Sequence, residues 1–321
     1  MKKRIEITSK FEIQRYSRWL TVGPSLDQLT QITRNQYSYN SLLAMRKDWL
    51  HFVDFCQASA HRVLPASPLS LKAYIEVTAR ERKFSTLKRY VVTISNIHQM
   101  LGYPDPTATR EVNLLLQQYR LEKSGDERTT TAFTKQHLQL LQDKLGQQGD
   151  SVSIRDLALY SLMFECALKR SELRDLCREQ LSQTPSDESY KIELQGNIYQ
   201  ISNRSSGYLS HWLGLIQDDS PAVFRAIDKH GNISQEKLND SSIFRIFQKA
   251  STLLGLPHNL SFSGQSARVG AVKELYDQGY KVKEIQLFGR WNTPVMPNYY
   301  LGNSSQAELG KMVFKSFKKL D

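Results

Sequence analysis

Apolar residues recur at helical spacing through the first third of the chain. Leu42, Met45, Trp49, Phe52 and Cys56 fall on one face, with Arg46 and Lys47 off it. After a connector at 61–66, Ser67 and Pro68 supply an N-cap and a first-turn proline for a helix through Leu71, Tyr74 and Ile75. A third helix begins after Phe84, with Ser85 as its cap and Leu87, Val91, Ile94 and Leu101 inward; the run 102–106, rich in Gly and Pro, ends it. A fourth spans about residues 109–123. Four helices with short connections predict a small all-α domain. Residues 1–38 show no clear period and read as a basic N-terminal arm, and the polar, aperiodic stretch near residues 124–131 reads as a linker. The expected organisation is an arm at 1–38, a helical domain at 39–124, a linker at 125–132 and a second domain at 133–321.

In the second domain Thr134 caps a helix, and residues 154–177 supply one or two more that are strongly apolar. A strand signal appears once: Tyr190, Ile192 and Leu194 alternate, Gly196 and Asn197 turn, and residues 198–201 return as a hairpin. Helical spacing resumes at Leu209, Trp212, Leu213 and Ile216, at Ile243, Phe247, Ala250 and Leu253, and at 269–276. The tail carries Leu309, Met312, Val313, Phe317 and Leu320 on one face among Lys311, Lys315, Lys318 and Lys319, an amphipathic helix. The fold class expected is mainly α with a small β-hairpin, an all-α N-terminal domain joined to a mixed α/β domain.

Charge narrows the partner. The net charge is +11, and its distribution is uneven: residues 1–125 hold 19 Lys/Arg against 10 Asp/Glu, and the remainder 24 against 22. A basic first third points to duplex nucleic acid, with a membrane surface second. No apolar run approaches a bilayer span, and the basic start lacks the apolar core of a signal peptide, so a cytoplasmic location is expected and no membrane partner. Cys56, Cys166 and Cys177 show no CxxC spacing and read as thiols in a reducing compartment. No phosphate-binding glycine loop, dinucleotide fingerprint, serine elbow or metal-ligand spacing is present. Neither a nucleotide cofactor nor a metal is expected, which leaves chemistry by ordinary side chains, or binding alone.

Three segments remain: Ala167-Leu-Lys-Arg-Ser-Glu-Leu173; Ser263-Gly-Gln-Ser-Ala-Arg-Val-Gly-Ala271; and Phe288-Gly-Arg-Trp291 followed by Asn298-Tyr-Tyr-Leu-Gly-Asn303. Metal-free cleavage of a DNA strand needs a nucleophile, cations on the nonbridging oxygens and an acid for the leaving oxygen, and tyrosine, arginine, and lysine or histidine suit these roles. On these segments the chain resembles the tyrosine recombinases, or phage integrases, and among them the Cre-like branch. The resemblance covers nearly everything beyond residue 38, including 41–56, 64–68 and 85–101 in the first domain.

Carried over residue by residue, the resemblance implies that Arg268 clamps the phosphate, that Trp291 stands where relatives have His or Trp against it, and that Glu172 supports the first clamping arginine. It implies Tyr300 as nucleophile, nine residues after Trp291, with Tyr299 the lesser candidate. Three positions depart from the pattern. Lys169 stands where the first arginine belongs, with Arg170 about 100° further round a helix and so outside the site. Gln265 replaces a histidine, and the hairpin turn lacks the lysine acid, Lys191 on the first strand being a poor substitute.

Plainer readings stand beside these. Arg268 suits a buried carboxylate partner, Tyr300 and Trp291 suit core packing, and Lys169 and Arg170 suit helix-end charges. Lys88 and Arg89, with Arg46 and Lys47 more weakly, lie off their apolar faces and fit solvent or a DNA groove. The polar start of a helix over 239–249, with Ser241 and Arg245, fits the major groove. The C-terminal helix is core or, as in relatives, docks into a neighbouring subunit and assembles copies on DNA. The expectation is a two-domain clamp on duplex DNA that recombines sites through a 3′-phosphotyrosine, serving a bacterial mobile element. The rival is an inactive pseudo-recombinase that binds its site for regulation, replication or partition; a tyrosine-type topoisomerase ranks third.

Overall fold

The computed structural model describes residues 5–126, 129–184, 189–216 and 219–303. Its contacts divide the chain into two compact units, Met1–Arg128 and Thr129–Asp321.

The first unit is helical: α1 (Lys10–Val22), α2 (Leu26–Ile32), α3 (Tyr39–Ala58), α4 (Pro68–Glu81), α5 (Phe84–Met100) and, after a single 3-10 turn, α6 (Arg110–Glu122). Serines start most of them. Ser9, Ser25, Ser38 and Ser67 each accept a hydrogen bond from a backbone N–H in the first turn, and Ser25 and Gln28 form a reciprocal capping box. The arm expected over 1–38 is therefore largely α1 and α2. Ile7, Tyr16, Leu20, Leu29 and Ile32 join Trp49, Phe52, Tyr74 and Ile94 in one buried core. The Trp49 indole donates to the Leu20 carbonyl at 2.8 Å, and Ile7 N–H donates to Met100 O at 2.9 Å. Ser85 is not the cap of α5; Lys83 holds that position and the Asp126 carboxylate accepts from Phe84 N–H at 2.9 Å.

The second unit is built round one helix buried on all sides. It runs α7 (Lys135–Leu145), α8 (Ser151–Glu165), α9 (Arg170–Arg174), β1 (Leu181–Gln183), β2 (Tyr190–Leu194), β3 (Asn197–Gln200), α10 (Asn203–Leu215), β4 (Arg225–Ile227), β5 (Ile233–Lys237), α11 (Asp240–Leu253), α12 (Ser266–Asp277), α13 (Val282–Phe288) and α14 (Val295–Tyr300). Leu157, Leu159, Tyr160, Leu162 and Met163 make α8 apolar around its whole circumference, and α7, α10 and α12 cover it. The expected hairpin is β2–β3, with Ile192 opposite Tyr199, and β1 adds an antiparallel edge. The β4–β5 pair was not expected; its strand residues are mostly exposed or half-buried and offer no alternation to read. Phe133 is buried in the core of this unit, and its N–H donates to Ser266 O at 2.9 Å. Among the described residues no helix is long and apolar enough to cross a membrane. The amphipathic helix expected over 309–320 lies outside the described residues.

Candidate active site

The first singled-out segment does not end one helix; it joins two. Apolar α8 stops at Glu165, Ala167 adopts a left-handed conformation (φ 46°), and the chain restarts as α9 with Lys169 as N-cap. The break leaves the carbonyls of Cys166 and Ala167 free to accept side-chain bonds. It also puts Glu172 in the first turn of α9, where its Oε2 accepts from Lys169 N–H at 2.8 Å, a favourable place for a carboxylate. Lys169 and Arg170 therefore sit at a helix N-terminus, which corrects the reading of them as charges ending an apolar helix.

Glu172 is the hub. Its Oε1 accepts from Arg290 Nε at 3.1 Å and from Gln195 Nε2, in the β2–β3 turn, at 3.4 Å, and the Lys169 ammonium lies 3.2 Å away. Its Oε2 accepts from Arg290 Nη2 at 2.8 Å, and Arg268 Nη1 lies at 3.9 Å. Burial pushes this carboxyl upward, but the hydrogen bonds from Arg290 and from the Lys169 backbone reverse that, and Glu172 ends below the ordinary glutamate value.

Arg268, in the first turns of α12, has a side chain only 2% exposed. Its guanidinium donates to Ala167 O at 2.6 Å and to Gly289 O, and lies 3.9 Å from the centroid of the Trp291 ring. Burial lowers its pKa to about 10, with Glu172 opposing the fall and Arg290 adding to it; the group stays cationic at neutral pH. Trp291 folds back on Gly289, where a Cβ would come 1.7 Å from the indole Cζ3, so only glycine admits this ring position.

Tyr300 closes the cluster from the end of α14. Its ring meets Trp291 at 6.1 Å in an edge contact, and its hydroxyl donates to Gln265 Oε1 at 3.4 Å, a long bond. Burial raises its pKa, and Arg268 opposes the rise. Tyr299 packs on Tyr300 at 6.2 Å. All six expected site residues, Lys169, Glu172, Gln265, Arg268, Trp291 and Tyr300, thus meet in one cluster. Arg170 lies nearer than its helical offset implied: its stem crosses Gly264, where a Cβ would be 2.1 Å from Cδ. Lys191, by contrast, alternates with core-facing Ile192 and so projects from the other face of the strand. Two members were missed in the sequence. Arg290 stood inside the segment 288–291 without a role, and Gln195, beside the turn at Gly196 and Asn197, was given none. Among the described residues no group of three His, Cys, Asp or Glu side chains is arranged to hold a metal ion.

The basic positions of the first unit divide. Lys47 and Lys88 are exposed. Arg46 instead donates to Pro24 O at 2.8 Å, and Arg89, though half-exposed, forks onto the buried carboxylate of Asp48 at 2.8 and 2.9 Å. In the second unit Ser241 and Arg245 are both exposed, one helical turn apart at the start of α11.

No family model matches the chain. An integrase/recombinase XerD homolog of Selenomonas ruminantium is 30% identical over 256 residues, 72% of each chain. Recombinase Cre of Escherichia phage P1 is 21% identical over 304 residues, 87% of each. A crystal structure of the XerH site-specific recombinase, bound to a palindromic difH substrate, superposes over 97% of this chain and 90% of its own with a TM-score of 0.64 at 13% identity, and so shares the fold. With such a relative matched over nearly three quarters of its length, the chain belongs to the tyrosine recombinase family.

Proposed function

We propose that this protein is a Cre-like site-specific recombinase of a mobile element that acts on duplex DNA through a 3′-phosphotyrosine. The convergence of Arg268, Glu172, Trp291 and Tyr300, drawn from α9, α12, α14 and the loop before α14, carries the reading. Tyr300 Oη gives up its proton to solvent as it attacks the scissile phosphorus, the P–O bond to the 5′ oxygen breaks, and that oxygen takes a proton from solvent as it leaves. Arg268 and Lys169 hold the nonbridging oxygens, where charge builds in the transition state. Gln265 accepts the Tyr300 hydroxyl in this geometry and positions it without removing its proton. Lys47, Lys88, Ser241 and Arg245 supply backbone or groove contacts, and the C-terminal segment joins copies on the DNA. No metal or nucleotide is required by this chemistry.

A second reading, a site-specific binding protein without cleavage, draws on particular observations. Lysine replaces arginine at 169, glutamine replaces histidine at 265, and the hairpin tip presents Gln195 instead of a lysine. Loss of such proton-transfer and clamping groups lowers a rate by several orders of magnitude. The test is a nicked suicide duplex carrying a site selected from random DNA. A covalent adduct formed by the wild type and absent in Tyr300→Phe establishes cleavage; tight, specific binding by both without adduct establishes the second reading.

A further inference from the structure

Arg290 has no counterpart in the roles assigned so far, yet it is firmly held. Its backbone is left-handed (φ 58°), a conformation unfavourable for a residue with a Cβ and kept only where surroundings fix it. Its side chain is 2% exposed. Every guanidinium nitrogen is engaged: Nε and Nη2 fork onto Glu172, Nη1 donates to Phe288 O at 3.0 Å, and Nη2 also reaches Cys166 O and Ala167 O at 3.2 and 3.1 Å. The face of the group rests on Tyr199, 4.9 Å from its ring centroid. All three nitrogens of Arg290 are thus bound to Glu172 and the surrounding carbonyls. Lys169 is its opposite: the side chain is 41% exposed, and of its three ammonium donors the structure engages one, on Glu172.

Lysine cannot fork onto a carboxylate as arginine does. A lone Lys169 beside Glu172 would leave a buried carboxylate half-satisfied and would itself be drawn down onto it. We infer that Arg290 is a positioning residue that saturates Glu172 and so leaves the Lys169 ammonium free to bind a DNA phosphate oxygen, the two together doing the work of one arginine. This rests on the proposed recombinase reading of the site.

The test compares wild type, Arg290→Gln, Lys169→Arg and the double variant. Two readouts are used: adduct formation on the suicide duplex, and acetylation of Lys169 by an N-hydroxysuccinimide ester, read by mass spectrometry with and without the selected duplex. Arg290→Gln should lower the adduct rate roughly 100-fold, the scale of losing one oriented donor. An arginine introduced at 169 should regain most of that loss in the double variant, because it brings its own fork to Glu172. Duplex should protect Lys169 from acetylation in the wild type and not in Arg290→Gln.

A double variant no better than Arg290→Gln, with melting temperatures alike, overturns the inference. So does Lys169 acetylated equally with and without bound duplex, even where the wild type cleaves. Protection without any adduct retains the division of labour and removes the recombinase reading. If Arg290→Gln melts early, Arg290→Lys, which keeps the charge and loses the fork, gives the same comparison.

Discussion

The Arg268 guanidinium lies 3.9 Å from the centroid of the Trp291 ring, while its own N–H groups bind the carbonyls of Ala167 and Gly289. The guanidinium proposed to hold a phosphate oxygen is thus covered by an aromatic face. A desolvated contact of this kind contributes about 2 kcal/mol. Trp291→Ala should lower the urea stability by about that amount and Trp291→Phe by less. Binding of duplex should also change the emission of Trp291, because a phosphate reaching Arg268 meets this ring; Trp291→Phe should abolish the change. Equal stability of Trp291→Ala and wild type would mean the stack contributes nothing.

Arg89, read in the sequence as fitting solvent or a DNA groove, stays half-exposed while its fork holds Asp48, whose side chain is 1% exposed. Arg89→Ala should therefore destabilise the first unit by about 1–3 kcal/mol, the cost of a buried acceptor losing its partner. Adding Asp48→Asn should restore part of that. Calorimetric melts of the single and double variants check it, and additive losses would rule out the coupling.

Lys88 is exposed and makes the cleaner probe of binding. Duplex affinity should fall steeply with salt, the slope of log K against log salt being about −0.9 per phosphate contacted. Lys88→Ala and Arg245→Ala should each flatten the slope by about one contact. A slope unchanged in either variant removes that residue from the interface.

Glu172 makes stability depend on pH in a defined direction. Its folded pKa lies below the unfolded value, so its contribution is complete above the ordinary glutamate pKa, about 4.3, and fades as pH falls through the lower folded value. Wild type and Glu172→Gln should differ in melting temperature at neutral pH and converge in acid. A gap that persists unchanged in acid would place the effect elsewhere.

The three thiols should separate by reactivity. Cys56 and Cys166 are fully buried, and burial raises both, Cys56 to about 11, whereas Cys177 is half-exposed. At pH 8 a thiol reagent should label Cys177 in the native protein and the other two only after denaturation. Rapid labelling of Cys56 in native buffer would contradict the packing described.

Legibility in the sequence followed the range of the interaction. The amphipathic faces of α3, α4 and α5 and the alternation of β2 are local patterns, and they were readable. The first two helices were not, because basic and polar residues break their apolar stripe, although Ser9 and Ser25 marked their starts. At the site, Arg268, Trp291 and Tyr300 were found through the resemblance to the recombinase motifs and their spacing. Arg290 escaped because its meaning depends on a left-handed backbone and a carboxylate 118 residues away, neither of which a local pattern records. The 100° offset assumed for Arg170 does not apply because Lys169 is an extended N-cap and the helix begins only at Arg170.

The junction of Phe133 with α12 has a mechanical consequence. Phe133 N–H is bonded to Ser266, and a Cβ on Gly270 would come 1.7 Å from the Phe133 carbonyl oxygen. Tension applied to the chain at residues 129–132 is therefore delivered to the helix that carries Arg268, two residues either side of the arginine itself. A circular permutation opened just before Phe133 would slacken that helix, whereas new termini at the β4–β5 turn would leave its tether intact.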